Sequence, residues 1–107
     1  MRGKLRKDNN HHEIIDAIKS SGGSIIDIST LGCGMPDLIV LTRKGIQLAE
    51  VKNPKTGYGR RGLSKRQMSW AIDWVGPPIY ILKTTQDAIN LVVGNFNALE
   101  GFGGFKG

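Results

Sequence analysis

Apolar residues recur along this chain in two periods. Ile14, Ile15 and Ile18 form a helical stripe that starts after Asn9 or Asn10, both good N-caps, and stops at Ser20-Ser21-Gly22-Gly23. Ser24 to Ser29 and Asp37 to Thr42 are rich in β-branched residues, and Ile46 to Lys52 alternates with period two, so three strands are predicted. A tight turn at Arg43-Lys44-Gly45 joins the last two, and TLGCGMP (30–36) is too rich in glycine and proline for regular structure. Asn53 to Leu63 is the long internal loop. Ser64 then caps a second helix, with Gln67 as its capping-box partner and Met68, Ala71, Ile72 and Val75 as its expected buried stripe. Gly76-Pro77-Pro78 ends that helix. A strand over Ile79 to Lys83 follows, and then a short helix from Gln86 to Val93, capped by Thr84 or Thr85. The closing GNFNALEGFGGFKG has no periodicity and is expected to be loosely held. This order of elements predicts an α/β domain with helices packed on a small mixed sheet.

Composition narrows the picture. The 107 residues fit a single domain, 1–107, with a basic arm at 1–8 and a Gly/Phe-rich tail at 94–107. Hydrophobic residues make up 39%, enough for a core and too many for wholesale disorder. No apolar run approaches the roughly 20 residues of a bilayer span. The start MRGKLRKDNNHH has charge without an apolar stretch, and Cys33 is alone, so neither membrane nor secretion is expected and the cytoplasm is. Fifteen Lys and Arg against nine Asp and Glu leave a net charge of +6, with a pI near 9.8, which points to a polyanion and first of all to nucleic acid.

One group departs from ordinary strand composition. Asp37 opens the second strand, while Glu50 and Lys52 lie two apart near the end of the third and so share a face. Taken alone, Glu-x-Lys is a solvated ion pair worth at most about 1 kcal/mol. If facing positions of the two strands add to an odd number, as a two-residue Lys44-Gly45 turn would give, Asp37 joins that face. A three-residue turn without a bulge would put it on the other. In the first case two carboxylates and an ammonium converge on a workable Mg²⁺ site, with Asp37 and Glu50 as ligands and the Val51 carbonyl and waters completing the shell.

The run G-M-P-D, twelve residues, E-V-K, preceded by a helix carrying an acid and followed by a helix opening Ser-x-x-Gln, resembles the PD-(D/E)XK nuclease superfamily. Within it the chain is similar to the small stand-alone VRR-NUC domains of bacteriophages and bacteria and, next, to archaeal Holliday-junction resolvases. The likeness runs from about Glu13 to Lys83. It implies a restriction-endonuclease-like αβββαβ core. It also implies Asp37 and Glu50 as metal-binding carboxylates, Lys52 as the catalytic lysine, and Val51 as a carbonyl ligand. Glu13 would be the first-helix acid that touches the metal directly or through water, and Gln67 the glutamine beside the active site. Ser29 or Thr30 would bring a hydroxyl near the scissile phosphate, as in the archaeal resolvases. For Glu13 the helix N-terminus alone is a sufficient explanation, and for Gln67 the capping box is, although one amide can serve both roles.

Lys52, Lys55, Arg60, Arg61, Lys65 and Arg66 form a stretch without an acid, on the loop that leaves the presumed catalytic strand. Lys55, Arg60, Arg61, Lys65 and Arg66 are candidates for phosphate contacts, and Tyr58 for stacking on a base. The basic arm adds charge or is simply a solubilising tail. His11 and His12 lack partners at zinc spacing, so no structural zinc is expected. Cys33 reads as a semi-buried thiol, and Trp70 with Trp74 as core, with a subunit interface as the alternative. These readings together predict a Mg²⁺- or Mn²⁺-dependent DNA endonuclease. The resemblance implies action at branched DNA, with Holliday-junction resolution by a homodimer in a bacterial or phage-infected cell. The alternatives are a non-catalytic DNA-binding module of the same fold, or a nuclease acting on flaps, nicks or restriction sites.

Overall fold

The structure is a computed structural model that describes residues 10–55 and 64–102. Helix α1 (His11–Ser20) is followed by β1 (Ser24–Asp27), β2 (Leu38–Thr42) and β3 (Gly45–Val51). Helix α2 (Lys65–Asp73), β4 (Ile79–Leu82), helix α3 (Thr85–Val93), a 3-10 turn (Phe96–Ala98) and β5 (Glu100–Phe102) complete it. The five strands lie in the order β1-β2-β3-β4-β5, with β3 and β4 parallel and every other pair antiparallel. This is the α/β arrangement expected: a mixed five-stranded sheet flanked by three helices, consistent with a restriction-endonuclease-like fold.

Alternation along the strands separates two faces. Leu38, Val40, Ala49, Val51 and Leu82 face α1 and α3, where they bury with Ile14, Ile18, Ala88 and Leu91 in the main core. The other face carries Leu48 and Ile79, which pack against Ala71, Trp70 and Trp74 of the α2 segment. Ile26, Leu41 and Ile46, also on this face, remain exposed.

The structure departs from the sequence pattern in four places. On α2 the buried stripe is not Met68, Ala71, Ile72 and Val75. Of these only Ala71 is buried, and Ile72 and Val75 are 61% and 65% exposed. Helical spacing permits a second stripe through the same alanine, formed by Gln67, Trp70, Ala71 and Trp74. This one wins because the two stacked indoles, 4.9 Å apart, have more apolar surface to remove from water. At α1, Asn10 occupies the N-cap position without making a side-chain cap. The tail is not loosely held as far as Phe102: Phe96 stacks on Tyr80, and β5 pairs with β4. Cys33 is exposed rather than semi-buried. Among the described residues, no helix is long and apolar enough to cross a membrane.

Candidate active site

Strand register decides what meets. Leu38 faces Ala49 and Thr42 faces Gly45, so facing positions add to an odd number and Asp37 falls opposite Glu50. The connecting residues are Arg43 and Lys44, one position earlier than Lys44-Gly45, with Gly45 at φ 108° opening β3. The Lys44 N–H donates to Thr42 Oγ1 at 2.9 Å and closes the turn.

The carboxylates are fixed by each other's strand. The Asp37 N–H donates to Glu50 Oε1 at 3.1 Å, and the Val51 N–H donates to Asp37 Oδ2 at 3.0 Å. A strand residue turns its N–H and C=O to the same side, so the Val51 carbonyl also faces the Asp37 edge. Glu50 is 4% and Lys52 6% exposed, with Lys52 Nζ 3.6 Å from Glu50 Oε2.

Gln67 joins this group to α2. Its Nε2 donates to Glu50 Oε2 at 2.5 Å, while its Oε1 accepts from the Ser64 N–H at 2.9 Å and from Lys52 Nζ at 3.4 Å. The Gln67 N–H donates to Ser64 Oγ at 3.2 Å. One amide therefore completes the capping box and holds the carboxylate. Gly34, at φ 81°, allows α2 to come this close: a Cβ there would lie 2.5 Å from the Arg66 carbonyl oxygen.

Burial pushes the Glu50 carboxyl up to about 7, and the Asp37 charge adds to the rise against the opposing pull of Gln67 and Lys52. Burial also raises Asp37, opposed by the Val51 N–H bond and by His11 and Lys52. Two desolvated carboxylates that oppose each other's ionisation suit a hard divalent cation. Asp37, Glu50 and the Val51 carbonyl would supply its oxygen ligands, with water and substrate phosphate filling the rest of the shell. Among the described residues, no three His, Cys, Asp or Glu side chains are gathered into a metal-holding group.

Glu13 is not brought to this pair. It is exposed on α1 and lines a cavity of about 400 Å³ with Asn10, Asn53, Lys55, Lys83 and Thr84. Of the candidate DNA contacts, Lys55 lines that cavity, and Lys65 and Arg66 are exposed on the first turn of α2. Positive charge there adds to the positive end of the helix. Tyr58, Arg60, Arg61 and the arm 1–8 lie outside the described residues. Ser29 bonds to the Asp27 carboxylate.

Asn10 and His11 stand beside the site in roles that sequence reasoning did not assign to them. Asn10 Nδ2 donates to the main-chain carbonyls of Lys52 and Lys83, both at 3.0 Å, tying α1 to the ends of β3 and β4. His11 is buried and stands 3.7 Å from Asp27. The spacing 11, 14, 18 carried a signal, because it puts His11 on the inward stripe of α1. No family model, curated protein or solved structure matches the chain.

Proposed function

We propose that this protein is a metal-dependent DNA endonuclease that hydrolyses phosphodiesters at branched DNA, resolving four-way junctions as a homodimer. The observation that carries the reading is the Asp37–Glu50 pair, two mutually opposed, desolvated carboxylates cross-linked by main-chain N–H groups, with the Lys52 ammonium 3.6 Å from one of them. When bound there, Mg²⁺ or Mn²⁺ would polarise a phosphate oxygen and lower the pKa of a bound water. Asp37 and Glu50 hold the ion's position, and Gln67 fixes Glu50 so that its carboxylate needs little reorganisation. Lys52 offers a point charge to the oxygens on which negative charge develops. Lys55, Lys65 and Arg66 attract the flanking phosphates. A two-fold pair would place two such sites on a symmetric junction, which needs two cuts. Resemblance to the superfamily implies 5′-phosphate and 3′-hydroxyl ends.

The test uses a mobile four-way junction and a linear duplex, each with Mg²⁺, Mn²⁺ or EDTA. The wild type is expected to cut the junction only with metal. Asp37→Ala and Lys52→Ala are each expected to lose about 100-fold or more in rate while still binding. Normal binding without any cutting by the wild type would mean a DNA-binding module instead. Cutting that survives Asp37→Ala would remove the site assignment.

A further inference from the structure

The proposed reaction leaves the buried imidazole of His11 unused. His11 is 6% exposed, and its Nε2 is fully enclosed with no hydrogen-bond partner. It is aimed at Asp27 Oδ2, 3.7 Å away. The other oxygen, Oδ1, accepts from the Ser29 N–H at 2.9 Å and from its hydroxyl at 2.6 Å, which orients the carboxylate. A direct hydrogen bond would bring the two atoms to about 2.7–3.2 Å. Two ligands of one tetrahedral ion, each about 2.1 Å from it, stand about 3.4 Å apart. The observed gap needs only a small closure to suit an ion between the two groups.

Asp27 stands close enough to Asp37 for its charge to oppose ionisation there, while His11 and Lys52 favour it. The positive end of α1 opposes a cation only weakly, by less than burial of an imidazole nitrogen without a hydrogen bond costs. The place is distinct from the Asp37–Glu50 pair. Asp27 shares its row with Leu38 and Ala49, on the α1 side of the sheet, and Asp37 and Glu50 lie in the adjacent row on the other side.

We propose that His11 Nε2 and the Asp27 carboxylate form a second divalent-cation position whose mixed nitrogen and oxygen ligands select Mn²⁺ or Zn²⁺ over Mg²⁺. An ion there pins the first turn of α1 to the end of β1. Asn10, one residue before His11, bonds the Lys52 carbonyl, so the ion also steadies the strand end that carries Lys52. This last consequence rests on the nuclease reading; the ligand assignment does not.

The test is electron spin-echo modulation of Mn²⁺ bound to the full chain, which registers a directly bound nitrogen. Nitrogen coupling is expected in the wild type, in His12→Gln and in the double variant Asp37→Asn/Glu50→Gln, and it is expected to vanish in His11→Gln. An excess of Mg²⁺ is expected to leave it in place. In the double-variant background, Asp27→Asn, which keeps the imidazole, is expected to weaken Mn²⁺ binding about 10-fold or more. The proposal is overturned by a wild type without nitrogen coupling at saturating Mn²⁺, by coupling that survives His11→Gln, or by coupling that disappears with Asp37 and Glu50. Displacement of the coupling by Mg²⁺ overturns the selectivity. Should His11→Gln fail to fold, as circular dichroism would show, unchanged Mn²⁺ affinity in the Asp27→Asn variant overturns it instead. DNA cleavage without nitrogen coupling defeats this cation position alone, and coupling without cleavage of any DNA defeats the nuclease reading alone.

Discussion

On the α1 and α3 side of the sheet, Ile14, Ile18, Leu38, Val40, Leu82 and Leu91 are fully enclosed, whereas across the sheet Ile26, Leu41 and Ile46 stay exposed and the buried groups include Glu50 and Lys52. The magnitudes run in opposite directions. Burying one leucine contributes roughly 1.5–3 kcal/mol. Holding Glu50 ionised near neutral pH costs about 3 kcal/mol, the equivalent of its rise from 4.5 to about 7. One face supplies the stability that the other draws on to keep charge away from water. In a small domain a single core must offset the cost of such buried charge.

Three measurements test this contrast. The largest effect is expected in the closed face, where Leu91→Ala should cost about 2–5 kcal/mol in urea denaturation, since nothing beside it can collapse cheaply. A loss below about 1 kcal/mol would mean that this face is not the source of stability. Next comes Glu50, with the opposite sign. An acid whose folded pKa is raised binds its proton more tightly when folded, so its contribution to stability is highest below about 4.5. That contribution falls as pH climbs through about 7 and levels off above it. In EDTA, Glu50→Gln should therefore equal the wild type near pH 4.5 and exceed it by up to about 3 kcal/mol near pH 8. Equal stability at both ends of that range would dissolve the contrast. The smallest effect belongs to the outer side of α2: Ile72→Ser should shift stability by no more than about 0.5 kcal/mol. A larger loss that depends on protein concentration would place Ile72 in an interface between copies.

Much of the candidate site was legible because it depends on local rules. Glu50 and Lys52 share a face by strand period alone, and the two-residue turn between β2 and β3 sets the odd-sum register that brings in Asp37. Gln67 was legible as a capping residue, and geometry adds its second partner. What the sequence could not show rests on partners far along the chain. Asn10 has the residue type of a cap, but its amide serves carbonyls 42 and 73 residues away. Two stripes on α2 satisfy the same helical period, and only the sheet beneath selects between them. β5 has three residues, too few for a periodic signal, and forms because β4 offers an edge and Tyr80 a ring for Phe96.

The double duty of Gln67 carries a consequence for kinetics. Helix α2 is nine residues long and buries only Ala71 fully, so it stands among the parts of the fold that open at low cost. Whenever its first turn frays, the bond from the amide to Glu50 is lost with the cap, because both are made by the same side chain. The carboxylate and the helix end thus share one opening rate. Amide exchange at Gln67 is in effect a clock for how often the acidic pair comes undone.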